Sequence, residues 1–225
     1  RVDDGYREGM PIPIYYDPMI AKLVTHGKDR TEAIQKMLEA IKDYKIKTCV
    51  TAPNFNNPCG GLMPEENKKR LAELITKHHI PLIEDDIYGE FFFGKSRPRT
   101  CKYYDTKGLV IHCSSLSKSL APGYRIGWAL PGKFLEEVKF IKRMNNISQP
   151  TLTQAAVAHF IQHGRYEYHL KNLRKALHTQ SPRYMQSIIE HLPDDTKVSR
   201  PQGGMVLWVE LNKKINFKKC ENIHS

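Results

Sequence analysis

No stretch of this 225-residue chain approaches the roughly 18 consecutive apolar residues that a membrane helix needs. Nothing at its N-terminus has the charged, apolar and small-residue order of a signal peptide. Cys-x-x-Cys is also absent. The five cysteines (Cys49, Cys59, Cys101, Cys113 and Cys220) are odd in number and widely spread. A disulfide framework or zinc ribbon does not fit that spacing, so a reducing cytoplasm is the expected compartment. Collagen, coiled coil and low-complexity tract are excluded too. With 40% hydrophobic and 26% charged residues, the chain can bury a core of ordinary size, and its composition is not that of a disordered segment.

Charge of one sign is in excess: 35 Lys and Arg against 24 Asp and Glu give a net +11. Residues 1–47 are nearly balanced at net +1, and residues 48–225 hold the other +10. Much of the excess lies on helix-like segments such as Lys139–Arg143 and Lys171–Lys175, and some on the tail 212–225, which reads as frayed and basic. No helix-turn-helix, zinc finger or aromatic-basic motif accompanies it, so nucleic acid is not the expected partner. A basic surface suits anionic small ligands such as phosphates and carboxylates equally well.

Along the chain, residues 1–28 are rich in Gly, Pro and Tyr and read as turns and short strands. Asp29-Arg30-Thr31-Glu32 has the form of a capping box and opens a helix with Ile34, Met37, Leu38 and Ile41 on one face. A strand-like run, Thr48–Ala52, ends in the loop Pro53–Gly61. A helix from Pro64 should turn Leu71, Leu74 and Ile75 inward, with Lys77 and His78 at its end. Two apolar strands follow, one stopping at Glu84-Asp85-Asp86 and the other, Leu109–Cys113, at Ser114-Ser115-Leu116-Ser117-Lys118. Helices are expected over Phe134–Met144, Gln154–His163 and from Tyr166 toward Ser187, and a late strand over Gly203–Leu211. This rhythm predicts an α/β fold with a mainly parallel sheet layered with helices. Ligands of such sheets sit at the carboxyl ends of the strands, where Asn57, Asp85 and Ser115–Lys118 fall.

Three segments carry chemistry. A lysine at a strand end, Lys118, has hydroxyls on both sides and Arg125 seven residues later. Such a lysine can form a Schiff base when its surroundings free the lone pair, and the arginine can bind a phosphate. Asp85 lies three residues before the phenol of Tyr88, where a carboxylate could keep a pyridine nitrogen protonated. Asn57-Pro58-Cys59-Gly60 offers an amide on a tight turn, a donor for a phenolate oxygen. His159 and His163 are one helical turn apart, but the glutamate of a metalloprotease helix is missing and no metal is expected.

Taken in this order, the three segments resemble the pyridoxal-phosphate (PLP)-dependent aminotransferases of class I/II, with the aspartate-aminotransferase fold (fold type I). The resemblance extends over about residues 47–211. Within that family the segment is most similar to the aminotransferase-like domain of MocR-type regulators, through Pro53–Pro58, Ile83–Glu90 and Pro201-Gln202-Gly203-Gly204-Met205 before Leu207-Trp208. The resemblance implies that Lys118 forms the Schiff base with PLP and later shuttles a proton. It implies Asp85 at the ring nitrogen, Asn57 and Tyr88 at the ring hydroxyl, and Ser115, Ser117 and Arg125 around the phosphate. Asp86 competes with Asp85, but the spacing to Tyr88 favours Asp85 and leaves Asp86 as a surface or capping residue. The implied substrates are an α-amino acid and a 2-oxo acid. The implied assembly is a homodimer, for which Phe91–Phe93, read as core or interface, and Tyr103-Tyr104 supply aromatics. A MocR-type effector domain, sensing an amine without turning it over, is the alternative.

Residues 1–46 resemble a C-terminal fragment of biotin carboxylase, through Arg1–Gly5, Ile12–Leu23 and Gly27–Ile46. Without an ATP-grasp segment that resemblance implies no carboxylation. Both ends of the aminotransferase-like part are expected to be incomplete: the glycine-rich turn and ring-stacking aromatic would precede residue 47, and the arginine that grips the substrate carboxylate would follow residue 211.

Overall fold

The computed structural model describes residues 2–4, 21–42, 46–146 and 148–211. The tail 212–225 and most of the turn-rich first 20 residues, on which two of the expectations above fall, lie outside them. The chain divides into two compact units, residues 1–46 and 47–225.

In the first unit, β1 (Val2–Asp4) pairs antiparallel with β2 (Ala21–Leu23), and α1 spans Arg30–Ala40. The capping signal is used. Asp29 Oδ1 accepts from the Glu32 amide at 2.9 Å, while the Glu32 carboxylate accepts from the Lys28 amide at 2.7 Å, one residue earlier than a strict box. The expected apolar face is only partly covered: Ile34 and Leu38 remain about half exposed.

The second unit is built on a four-stranded sheet in the order β3 (Cys49–Thr51), β4 (Leu82–Asp85), β5 (Val110–Ser115), β6 (Gly127–Leu130). The first three run parallel and β6 antiparallel, so the sheet is mainly parallel, as expected. The crossover from β3 to β4 is α2 (Glu65–His78). Glu65 and Glu66 stand in its first turn and Lys77 and His78 in its last, each at the end the helix dipole favours. Ile75 and Ala72 turn inward as an amphipathic pattern requires, but Leu74 is half exposed and the inward place is taken by Lys68. Ile75, Leu82, Cys101, Leu109 and Val110 form the core between α2 and the sheet.

After β5 comes the single turn α3 (Leu116–Ser119), and after β6 the helices α4 (Leu135–Asn145), α5 (Thr151–Gln162) and α6 (Arg165–His191). The late strand is shorter than expected: only Val209–Glu210, β8, pairs with β7 (Lys197–Val198). Gly203 instead bridges to Phe92. A second core of Phe55, Tyr88 and Phe91, with Leu173 and Leu177 of α6 against it, lies beneath the loops that follow β3 and β4. Phe91 is therefore core, and Phe92 and Phe93 lie under Arg174 and beside His178 of α6. Of the aromatics expected at a dimer interface, these three are engaged within the chain, whereas Tyr103 is exposed.

Candidate active site

The parallel strands end at one edge of the sheet, and the sequence sets polar residues there. Asp85 is the last residue of β4 and Ser115 the last of β5. The register pairs Asp85 with Cys113, so Asp85 and Ser115 stand on adjacent strands, about 4.8 Å apart in the pairing direction, two residues out of step. The same edge receives Arg125, because β6 runs backwards and opposes Gly127 to Ser115. Ser115 caps α3, its hydroxyl accepting from the Ser117 amide at 3.3 Å. This short cap turns the backbone so that Leu116 and Ser119 are buried, while Ser117 is half-buried and Lys118 exposed. Arg125 is held in the left-handed region at φ 53°, a conformation uncommon for a side chain with a Cβ.

Asn57 lies six residues past β3 in a loop closed on itself. The Gly60 amide donates to the Asn56 carbonyl at 2.6 Å, and the Gly61 amide to Asn56 Oδ1 at 2.9 Å. Gly60, at φ 65°, is required there: a Cβ would stand 2.8 Å from the Val206 carbonyl. Tyr88 follows β4 in the next turn, mostly buried against Phe91.

Topology thus brings Asp85, Ser115, Ser117, Lys118 and Arg125 to one edge, with Asn57 and Tyr88 on the loops beyond β3 and β4. Among the described residues, the side chains of Asn57, Asp85, Lys118 and Arg125 make no hydrogen bond or ion pair with one another. Asp85 Oδ1 is occupied only by the Ile87 amide at 3.1 Å. A basic amine, a carboxylate, two hydroxyls and a guanidinium at one strand edge suit an anionic, aromatic aldehyde such as PLP: the guanidinium and hydroxyls for the phosphate, the carboxylate for a ring cation, the amine for the carbonyl.

One residue reads differently from the sequence expectation. Asp86 is fully buried, not a surface residue. Its carboxylate accepts from Asn54 Nδ2 at 2.7 Å and pairs with Arg97. Asn54 Oδ1 in turn accepts from the buried Lys68 ammonium at 2.6 Å, which also donates to the Arg99 carbonyl at 2.8 Å. Burial pushes the Asp86 carboxyl above its ordinary pKa despite Arg97 and Asn54, and pushes Lys68 below its own. This chain ties the Asn57 loop to the Asp85 strand end where no backbone pairing does. One signal for it was present: Lys68 shares the helical spacing of Ala72 and Ile75.

His159 and His163 stack with ring centroids 4.0 Å apart, and among the described residues no three metal-ligating side chains gather. No helix among them is long and apolar enough to cross a membrane.

Comparison with known proteins identifies the family and the fold. Residues 18–222 match the aminotransferase class I and II family, the match entering the first unit at residue 18. The uncharacterized HTH-type transcriptional regulator YdcR of Escherichia coli is 33% identical over 183 residues, 81% of this chain and 39% of that protein. Aromatic-amino-acid aminotransferase 1 of Thermococcus litoralis is 30% identical over 208 residues, 91% of this chain and 50% of that protein. Among solved structures, kynurenine aminotransferase of Pyrococcus horikoshii, in complex with PMP, superposes with a TM-score of 0.75 at 30% identity, covering 84% of this chain and 48% of that one. LysN, the alpha-aminoadipate aminotransferase of Thermus thermophilus complexed with N-(5'-phosphopyridoxyl)-L-leucine, gives 0.75 at 26% identity over 83% and 49%. The chain spans half or less of the length of these relatives. By this match over most of its length, and by its fold, the chain belongs to the aminotransferase class I and II family.

Proposed function

We propose that this chain is the lysine-bearing part of a PLP-dependent aminotransferase-like protein, which in complete form moves an amino group between an α-amino acid and a 2-oxo acid. The observation that carries the reading is Lys118, exposed at the end of β5 on the same sheet edge as Asp85 and Arg125. Two solved relatives hold PMP and a phosphopyridoxyl compound, which supports PLP as the group this edge takes. Bound PLP supplies a ring that withdraws electrons from the substrate Cα once its nitrogen is protonated.

Each remaining part belongs to the chain. Lys118 Nζ would be the amine that meets the aldehyde, and it would carry a proton to and from Cα. The Asp85 carboxylate keeps the proton on the ring nitrogen. The Asn57 amide and Tyr88 hydroxyl donate to the ring oxygen. Arg125 meets the phosphate with a planar fork, and the Ser115 and Ser117 hydroxyls complete its ligand set. Orienting the substrate carboxylate is a separate requirement, because a misplacement of about 1 Å can cost on the order of 100-fold in rate. Among the described residues we assign none to that grip, so we expect cofactor capture at Lys118 with weak or absent turnover. The assembly is read as a cytoplasmic homodimer. Residues 1–46 are read as a separate fragment, into which the family match reaches from residue 18.

A second reading has its own support. Regulators are among the relatives, YdcR at 33% identity being one, and the same site could serve as a MocR-type effector domain. Borohydride reduction after addition of PLP should tag the peptide carrying Lys118, and Lys118→Ala should abolish the tag. A tag on another lysine that survives Lys118→Ala refutes the proposal. Rapid conversion of an amino acid to its 2-oxo acid by this chain refutes the expectation of weak turnover.

A further inference from the structure

The turn that carries Lys118 is too short to hold its own shape. Helix α3 has four residues, far below the roughly 12 at which an isolated helix becomes even marginal in water. Its geometry must therefore come from outside. At its front, the Leu116 amide donates to the Ile126 carbonyl at 2.9 Å. At its rear, two contacts from outside the turn converge on Ser119, the residue after Lys118, which is 1% exposed. Ser119 Oγ lies 2.8 Å from Tyr166 Oη, and the Ser119 carbonyl lies 3.0 Å from His169 Nε2. A carbonyl can only accept, so His169 carries its hydrogen on Nε2.

Tyr166 and His169 are three residues apart and share one face of α6. The face continues through the buried Leu170 to Leu173 and Leu177, which pack against the core of Phe55, Tyr88 and Phe91. One helix thus touches both the turn that carries Lys118 and the turn that carries Tyr88. We propose that the inner face of α6 is a positioning device for the site: Tyr166 and His169 hold the Lys118 turn, while Leu173 and Leu177 hold the core under Tyr88. Tyr166 and His169 are positioning residues, acting through Ser119. The role toward the cofactor rests on the reading of Lys118 given above; the hold on the turn itself does not.

The test has two arms. In the first, hydrogen exchange is followed without cofactor at the Leu120 and Ala121 amides, both bonded to the Leu116 carbonyl. Loss of two hydrogen bonds in the Tyr166→Phe/His169→Ala double variant should speed exchange there roughly 10-fold while the β5 amides keep their protection. His169→Gln, which can still donate, should restore most of it, and Ser119→Ala, which removes only the hydroxyl bond, should give a smaller increase. Unchanged exchange at Leu120 and Ala121, or an equal rise across β5, overturns the proposal. In the second arm, PLP is trapped with borohydride and the rate of tagging at Lys118 is read. A rate roughly 10-fold lower in the double variant is expected, and a wild-type rate overturns the positioning role. No tagging at Lys118 in the unmodified chain overturns the cofactor reading instead, and the exchange arm still decides whether α6 holds the turn.

Discussion

Asp85 and Asp86 are neighbours in the chain with opposite surroundings. Asp86 is fully buried against Asn54 and Arg97, whereas Asp85 stands exposed at the end of β4 with only the Ile87 amide on its carboxylate. Strand alternation produces the difference: successive side chains leave a strand on opposite sides. The buried carboxylate ties the loop to the strand end, and the exposed one accepts from the Ile87 amide at 3.1 Å.

Substitutions at the two positions should therefore separate stability from binding. Asp86→Ala removes the acceptor of Asn54 Nδ2 and one of the two carboxylates on a partly buried Arg97, which keeps Glu90, and should cost about 1–3 kcal/mol. Asp85→Ala should change stability by about 0.5 kcal/mol or less, as at other exposed positions, while weakening PLP capture. Urea unfolding beside PLP titration would read both. A large stability loss in Asp85→Ala with normal capture would reverse the assignment.

How far the sequence reached can be judged from these residues. The order strand, helix, strand was legible because the parallel strands are short runs of β-formers or apolar residues and α2 carries charges matched to its ends. The strand-end motif around Lys118 was legible because its residue types and spacing survive as a local pattern. Asp86 was misread, since nothing local shows whether a carboxylate meets an arginine eleven residues away. The Ser119 contacts with Tyr166 and His169 span 47 and 50 residues, a separation no local pattern encodes. β6 went unrecognised because Gly127–Leu130 is a short exposed strand without alternation in burial.

Stability should depend on pH through Glu84 and Asp105. Burial alone would raise Glu84, but hydrogen bonds from His112 and from the Cys101 and Lys102 amides hold it below its ordinary pKa. Asp105 is held low in the same way, against burial, by Lys102 and the Val110 and Leu109 amides. A lowered folded pKa gives stability that is complete above the unfolded value, about 4, and lost as pH falls through the folded one. Asp86 has the opposite sign: its raised pKa gives stability that is lost as pH rises through it. Thermal melts between pH 2.5 and 6 should show acid destabilisation, and Glu84→Gln with Asp105→Asn should flatten it. An unaltered slope in the double variant would count against this account.

Gly127 is a close-approach position next to Ser115, which we propose as a phosphate ligand. A Cβ there would stand 2.9 Å from the Ser114 carbonyl and 3.1 Å from Ser115 Cβ. Gly127→Ala should displace Ser115 and cost about 1–3 kcal/mol, as overpacking does. Gly123, four residues earlier in the turn before β6, where a Cβ would meet nothing within 4 Å, is the control. Gly123→Ala should keep both stability and PLP affinity; equal losses in the two variants would point to loop flexibility, not to crowding of Ser115.

Arg125 offers the sharpest test of which part of the ligand this edge recognises. Its guanidinium has no partner among the described residues, and its backbone is held at φ 53° two residues before the strand that pairs with Ser115. An uncommon conformation of this kind costs of order 1–3 kcal/mol and persists where the surrounding structure imposes it. If the guanidinium grips the phosphate, Arg125→Ala should weaken PLP far more than pyridoxal, which has the same ring and aldehyde without the phosphate. A charge-assisted bond of about 1.5–3 kcal/mol corresponds to roughly 10- to 150-fold in PLP affinity. Arg125→Lys should recover part of that loss, because a point charge replaces the planar fork. Arg125→Gly should relieve the backbone yet bind PLP as poorly as Arg125→Ala, separating strain from charge. Equal loss of PLP and pyridoxal affinity in Arg125→Ala would remove Arg125 from the phosphate site and leave Ser115 and Ser117 as its ligands.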